Sequence, residues 1–153
     1  MSLRIEDILT PERSVIDVAV SSKKKLLEQL SALVAEEISD ASADDIYERL
    51  LARERMGSTG IGEGIAIPHC RLMHCERALG ILLRLQTPID YDAIDGRPVD
   101  LVFALLVPEE ATDEHLQILA TLASNFNQEE YRDALRNAPD AKRLFQRAIA
   151  EQH

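Results

Sequence analysis

The pattern of apolar and polar positions predicts a strand and two helices in the first third of the chain. Residues 14–20, SVIDVAV, alternate apolar and polar side chains and are rich in β-branched residues, which indicates a strand. Apolar side chains at helical spacing then predict a helix capped by Ser22. A second helix begins after Ser42, which with Asp45 resembles a capping box, and continues to about Arg55.

Three apolar stretches further along predict additional strands. IAIP, residues 65–68, indicates a short strand whose ladder ends at its proline. ALGILLRL, residues 78–85, indicates a second strand, and VDLVFALLV, residues 99–107, indicates a central strand buried on both faces. Between them, residues 87–98 contain Asp-Gly and two prolines, which predict a connection with a short hairpin.

Helical spacing returns after Pro108 and continues towards the end of the chain. One apolar set predicts a long helix and two further sets predict two closing helices. These sets are Leu116, Leu119, Leu122, Ala123 and Phe126, followed by Tyr131, Leu135, Leu144, Phe145, Ala148 and Ile149. The sequence contains no repeat or dividing linker. The element order predicts a single α/β layered domain over residues 1–153, with a mixed parallel and antiparallel sheet flanked by helices.

Charge and composition narrow the classes of function. The 153 residues suit one domain, and the net charge of −10 argues against binding nucleic acid or an anionic membrane surface. A basic protein partner is compatible with this charge. No apolar run approaches the roughly 18 residues of a membrane span, and the first residues do not resemble a signal peptide. Two cysteines do not make a disulfide framework, so a reducing, cytoplasmic compartment is expected.

A glycine-rich stretch holds the first candidate chemistry. Four of the six glycines lie in residues 57–64, which predicts a loop between the helix carrying Arg53 and the strand that delivers His69. A neutral imidazole can act as a nucleophile in phosphoryl transfer, and an arginine can contact two phosphoryl oxygens. Ser58, Thr59 and the backbone of Gly60 offer further donors to an anion. The loop lacks the nucleotide P-loop pattern.

Four potential zinc ligands follow directly, and they form an alternative site. His69, Cys70, His74 and Cys75 are suitable ligands by chemistry. Their spacing is poor, because adjacent residues on a strand point to opposite faces, and Arg71 adds positive charge inside the cluster. The other interpretation is that both cysteines are small, partly buried apolar residues and His74 lies on the surface.

A second histidine could complete a phosphoryl site. If Thr112 caps the helix after Pro108, His115 lies in its first turn, where the free N–H groups favour an anion and a neutral imidazole. It could donate to a phosphoryl oxygen or hold the ring of His69, provided that Asp113 and Glu114 point away. Alternatively, His115 is simply an exposed residue of that first turn.

The stretch RERMGSTGIGEGIAIPH, residues 53–69, closely resembles the active-site segment of the enzyme IIA proteins of the phosphoenolpyruvate-dependent phosphotransferase system. The resemblance is to the fructose/mannitol type, and within it to the nitrogen-regulatory members. TPIDYDAIDGRPVDLVFALLVPEE, residues 87–110, and HLQILATLA, residues 115–123, are similar to the same family. The resemblance covers nearly the whole chain in order and length.

The resemblance implies roles for three residues and a set of partners. It implies that His69 is phosphorylated, that His115 assists, and that Arg53 lies by the phosphoryl group and contacts partners. It also implies a mixed sheet flanked by helices, an HPr-type phosphocarrier as donor, and no metal or nucleotide. Nitrogen-regulatory members bind targets such as potassium-transport or sensor-kinase proteins according to their phosphorylation state.

The chain departs from the family pattern close to His69. Glu63 stands where Asn is more usual, and Cys70-Arg71 replaces Gly-Lys. Three hypotheses therefore remain. The leading one is a phosphocarrier with regulatory output, and the second is a regulatory binding module whose phosphorylation is impaired by the Glu63 carboxylate. The third is a zinc-binding domain that uses the four ligands described above.

Overall fold

The fold is given by a computed structural model that describes residues 3–38 and 40–150, apart from the side chains at positions 114 and 115. Within this part of the chain there are six helices and six strands, with a short 3-10 turn before the first strand; two helices follow β1, and five consecutive strands precede the last three helices. The helices are α1 Ile5–Ile8, α2 Lys23–Glu37, α3 Ala43–Arg55, α4 Asp113–Phe126, α5 Glu129–Arg136 and α6 Ala141–Ile149. The strands are β1 Ser14–Val18, β2 Gly60–Gly62, β3 Ile65–Ala66, β4 His69–Leu72, β5 Leu79–Ile89 and β6 Val99–Pro108.

The six strands form one mixed sheet, in which five follow the order β1-β5-β6-β3-β2 and β4 pairs with β6 outside that path. β1 runs parallel to β5, β5 runs antiparallel to β6, and β2 runs antiparallel to β3. β3 and β4 follow one another along the same side of β6, and both are parallel to it. The predicted mixed sheet is confirmed, and the chain delivers His69 to the start of a strand that pairs with Leu105 of the central β6.

β6 is buried on both faces, as its unbroken apolar sequence predicts. Leu101, Phe103 and Leu105 pack into one core with α1, α4, α5 and α6. Val102 and Ala104 alternate with them and pack into a second core with α2 and α3. Helices therefore cover both faces of the sheet, and burial of apolar surface on each side holds the layers together.

Local sequence signals account for the ends of the helices. Ser22 accepts a hydrogen bond from the Lys25 amide at 3.2 Å, and Ser42 accepts one from the Asp45 amide at 3.1 Å, so both predicted caps are confirmed. Such caps satisfy N–H groups that have no partner inside the helix. None of the described helices combines the length and the apolar character that a membrane span requires.

Three strand predictions are corrected by the structure. The glycine stretch is not only a loop, because it contains β2, where Gly60 pairs with Ala66. The strand predicted for residues 65–68 is not the last before β5, because after Pro68 a further strand, β4, runs from His69 to Leu72 beside β6. β5 extends past the predicted end to Ile89, with a register irregularity after Arg84. Pairing with neighbouring strands, which local sequence does not report, decides all three cases.

Arg84 connects the sheet to the end of α5. Its Nη1 donates to the carbonyls of Leu135, Arg136 and Ala138 at 2.9, 3.1 and 2.7 Å. The last carbonyls of a helix have no partner within the helix, so a half-buried guanidinium is well suited to satisfy them.

We expect Arg84→Met to lower the free energy of unfolding by about 1–3 kcal/mol, because these carbonyls lose a charged donor in a partly buried place. Urea unfolding measured by circular dichroism checks this. Arg55→Met is the matched control, since Arg55 is an exposed residue at the end of α3, and its loss is expected to change stability by less than about 0.5 kcal/mol. Equal effects of the two substitutions would contradict the role given to Arg84.

Candidate functional site

Arg53 and His69 meet at the centre of the candidate site. Arg53 lies in the last turn of α3, and His69 is the first residue of β4. The Nε of Arg53 donates to the Nε2 of His69 at 3.2 Å, and its Nη1 donates to the Gly57 carbonyl at 2.9 Å. The structure thus brings together two residues that are 16 positions apart in the sequence.

The backbone of Ile67 determines the tautomer of His69. Ile67 lies between β3 and β4, and its carbonyl oxygen is 2.7 Å from the Nδ1 of His69. A carbonyl oxygen can only accept, so the proton of the neutral ring is on Nδ1. Nε2 therefore carries the lone pair, which agrees with its acceptance of the Arg53 Nε–H. The ring presents Nε2 as its nucleophilic nitrogen.

The surroundings of His69 also favour the neutral ring. Burial lowers the pKa of His69 below its ordinary value, and the positive charge of Arg53 acts in the same direction. The hydrogen bond to Ile67 and the negative charge of Glu54 raise the pKa but do not outweigh burial. At neutral pH the imidazole is therefore uncharged and able to react as a nucleophile.

The donors of the glycine loop are engaged within the protein. The Ser58 hydroxyl donates to the Tyr91 carbonyl at 3.1 Å and accepts from the Gly60 amide at 3.1 Å. Both the amide and the hydroxyl of Thr59 donate to the carboxylate of Glu54. A contact of Ser58, Thr59 or Gly60 with a phosphoryl group remains a prediction, and it requires these donors to exchange partners.

A buried polar cluster that the sequence patterns above do not predict lies behind the loop. It consists of Glu54, Thr59, Tyr91 and Lys23. The Lys23 Nζ lies 3.0 Å from a Glu54 carboxylate oxygen and 4.5 Å from the centroid of the Tyr91 ring. The signal was present, because Glu54 follows Ile46 and Leu50 at four-residue spacing and so continues the buried face of α3. A charged residue on such a face needs partners, and the fold supplies them.

The predicted role of His115 lies outside the described residues. α4 begins at Asp113, as expected for a helix that starts after Pro108, and position 115 belongs to its first turn. The Leu116 amide donates to the Thr112 carbonyl at 3.2 Å, so the helix geometry is established there. The assistance of His115 remains a prediction from the resemblance.

The zinc alternative gains no support from the positions of its ligands. Cys70 packs against the core formed by α2 and α3, and burial raises the pKa of its thiol to about 12. Cys75 is buried and donates to the Arg77 carbonyl at 3.1 Å. Among the side chains that the structure describes, no group of three or more His, Cys, Asp and Glu could hold a metal ion.

The carboxylate of Glu63 turns towards arginines. It lies 3.3 Å from Arg97 and 3.9 Å from Arg132, and the Glu63 carbonyl accepts from Arg136 at 2.7 Å. The charges that shift the pKa of His69 are those of Arg53 and Glu54. The geometry therefore gives no support to interference of the Glu63 carboxylate with the site.

Three exposed apolar side chains border the loop. Met56 follows α3 and is 82 % exposed, Ile61 in β2 is 39 % exposed, and Ile94 is 79 % exposed. The Ile94 amide donates to the Gly60 carbonyl at 3.2 Å, which holds Ile94 against the loop. We call these three residues the apolar rim.

Comparison with known proteins shows that the sequence of this chain matches a family of proteins. The family model for the phosphoenolpyruvate-dependent sugar phosphotransferase system, EIIA 2, matches residues 7–151. The nitrogen regulatory protein of Pseudomonas aeruginosa is 50 % identical over 151 residues, which are 99 % of this chain and 98 % of that protein.

Two solved structures share the architecture. The nitrogen regulatory protein IIA-Ntr from Neisseria meningitidis is 42 % identical, covers 94 % of this chain and 98 % of its own, and superposes with a TM-score of 0.89. The mannitol IIA protein from Escherichia coli is 15 % identical with a TM-score of 0.72, covering 92 % of this chain and 98 % of its own. At that identity the second likeness shows the fold alone.

The tautomer and the lowered pKa of His69 can be measured directly. In protein labelled with ¹⁵N-histidine, we expect the His69 ring to titrate below about pH 6.5, because burial disfavours the imidazolium. Above that pH, the nitrogen shifts should report a proton on Nδ1 and a lone pair on Nε2. Comparison with His69→Gln assigns the signals, and a midpoint above about 6.5 or a proton on Nε2 would contradict the proposed environment.

Proposed function

This chain belongs to the phosphoenolpyruvate-dependent sugar phosphotransferase system EIIA 2 family, and from that premise we propose that it is a phosphocarrier whose His69 accepts the phosphoryl group. The donor is an HPr-type phosphocarrier protein that is itself phosphorylated on histidine. The observation that supports this most directly is the His69 ring, which presents an Nε2 lone pair beside the guanidinium of Arg53.

The proposed transfer step is a displacement at phosphorus. The Nε2 lone pair of His69 forms a new N–P bond while the N–P bond of the donor phosphohistidine breaks, and that electron pair returns to the donor ring. The Nδ1–H of His69 keeps its hydrogen bond to Ile67 throughout. The reaction consumes no nucleotide and needs no metal, since one imidazole replaces another at the same phosphoryl group.

Arg53 is proposed to move from the His69 ring to the negative charge of the incoming phosphoryl group. Its Nε–H now occupies the lone pair of Nε2, and the same guanidinium can turn to contact two phosphoryl oxygens when the group arrives. The proposed roles of Ser58, Thr59 and Gly60 are further donors to those oxygens, and His115 is proposed to assist from the first turn of α4. Such donors stabilise charge that develops during transfer.

The apolar rim is proposed to contact the donor. Met56, Ile61 and Ile94 border the loop beside Arg53 and His69, and exposed apolar side chains next to a reactive group are typical of a protein docking surface. The net charge of −10 adds a general attraction for a basic surface on the partner.

Regulation of partner proteins is the proposed output. The chain is similar to nitrogen regulatory proteins over nearly its whole length. We propose that its targets are of the kind that the family resemblance implies, such as potassium-transport or sensor-kinase proteins. A phosphoryl group adds a charge of about −2 at a partly exposed histidine, so the surface that a partner meets differs between the two states.

Phosphoryl acceptance tests the proposal. After incubation with phosphoenolpyruvate and the purified upstream carrier chain, we expect one acid-labile, alkali-stable phosphoryl group per protein, attached to Nε2 by NMR. We expect His69→Ala to take up none and the control His74→Ala to take it up normally, because His74 is an exposed residue outside the site.

The outcomes separate the three hypotheses. Equal labelling of wild type and His69→Ala would refute the assignment of the acceptor. A wild-type protein that takes up no label but still captures a regulatory target would favour the impaired binding module. Stoichiometric zinc by elemental analysis, lost in His74→Ala, would favour the metal-binding domain. Equal capture of a target by both phosphorylation states would refute the regulatory output.

Charged substitutions in the apolar rim test the donor contact. We expect Met56→Glu and Ile94→Glu each to raise the KM for the phosphorylated donor by about fivefold to tenfold, with little change in kcat, because they weaken docking and leave His69 intact. Met73→Glu is the control, since Met73 is also exposed but follows the end of β4, outside the apolar rim. A similar effect of all three substitutions would indicate general charge repulsion instead of a specific contact.

A further inference from the structure

Glu54 and Arg53 are adjacent residues that leave α3 in different directions. Arg53 reaches the His69 ring, whereas the Glu54 side chain is only 3 % exposed and points into the buried cluster. Its two carboxylate oxygens accept from the Thr59 amide at 3.0 Å, from the Thr59 hydroxyl and from Lys23 at 3.0 Å. A carboxylate removed from water in this way requires such donors, and all of them hold elements next to the site.

Two backbone hydrogen bonds connect Thr59, which Glu54 holds in place, to the ring of His69. Its carbonyl accepts from the Ile67 amide at 3.0 Å, and the Ile67 carbonyl in turn accepts from the Nδ1 of His69 at 2.7 Å. The path from the Glu54 carboxylate to the imidazole therefore contains two backbone segments and no side chain that must rotate. A displaced Thr59 would move the carbonyl that decides the tautomer of His69.

Tyr91 completes the cluster from the far side. The Thr59 hydroxyl has a single proton, which it donates to Glu54, so the Tyr91 hydroxyl at 3.1 Å is the donor to the Thr59 oxygen. Burial raises the pKa of Tyr91, which keeps that proton on the phenol. All donors therefore point in one direction, from Lys23, Tyr91 and Thr59 towards Glu54.

From these contacts we propose that Glu54, held by Lys23, is a positioning residue for phosphoryl transfer, which orients His69 through Thr59 and Ile67. The proposal rests on the proposed function, because it concerns the reactivity of His69 as a phosphoryl acceptor. Glu54 is buried and does not contact the donor, so it acts on the transfer step and not on docking.

The negative charge of Glu54 has a second effect that can be measured. It raises the pKa of His69 and so opposes burial and the charge of Arg53. Removing that charge should lower the His69 pKa further, whereas removing an exposed carboxylate of α3, such as that of Glu48, should leave it unchanged.

The test measures steady-state transfer from the phosphorylated HPr-type carrier together with ¹⁵N NMR of the His69 ring. For Glu54→Gln and for Thr59→Val we expect kcat to fall by about tenfold to a hundredfold with little change in the KM for the donor, because small displacements of a reacting group cost that much. Thr59→Ser, which restores the hydroxyl, is expected to recover most of the rate lost in Thr59→Val. Glu48→Gln is the matched control, since Glu48 is an exposed carboxylate of the same helix.

The NMR measurement separates positioning from loss of structure. Glu54→Gln should lower the pH at the midpoint of the His69 titration. Both Glu54→Gln and Thr59→Val should increase the fraction of neutral rings that carry the proton on Nε2. If Glu54→Gln does not fold, as judged by its thermal unfolding, Thr59→Val and Thr59→Ser still decide the question.

Several results would overturn the inference. One is a wild-type kcat together with an unchanged His69 titration in both Glu54→Gln and Thr59→Val. Another is a higher KM for the donor in these variants with no change in kcat. A wild-type protein that accepts no phosphoryl group would instead refute the proposed function, and the tautomer measurement would still report whether Glu54 and Thr59 orient the ring.

Discussion

The hydrogen bond from His69 Nδ1 to the Ile67 carbonyl determines how the rest of the site is arranged. It places the ring proton on Nδ1 and leaves the Nε2 lone pair beside Arg53. Ile67 lies between β3 and β4, where the Leu105 amide of β6 donates to the Pro68 carbonyl at 2.9 Å and the Ile67 carbonyl accepts from His69 instead. β3 and β4 both pair with β6, so the short segment between them is held beside the central strand.

Around this bond, charges of opposite sign lie on opposite sides of the glycine loop. Arg53 is partly exposed and meets His69, whereas Glu54 is buried and binds Thr59 and Lys23. Two adjacent residues at the end of α3 thus place a cation beside the His69 ring and a carboxylate that binds the glycine loop. The arrangement depends on the helix end, because one residue further along a helix turns about 100° around its axis.

The departures from the family pattern are accommodated on the surface and in the core. Glu63 has a positive φ of 58° in the turn between β2 and β3, and its carboxylate meets Arg97 and Arg132 instead of the His69 ring. Cys70 packs against the core beside α3, where burial keeps its thiol protonated. A reactive thiolate next to His69 is therefore not favoured by this environment.

The sequence by itself determined the layered α/β class, the doubly buried β6, both serine caps and the identity of His69 and Arg53 as candidate partners. These features follow from local periodicity, capping chemistry and one motif, all of which are short-range properties of the chain. The tertiary structure alone decided that the glycine stretch contains β2 and that Thr59 donates to Glu54. It also decided which nitrogen of His69 carries the lone pair, because this depends on contacts between segments whose approach in space no local pattern records.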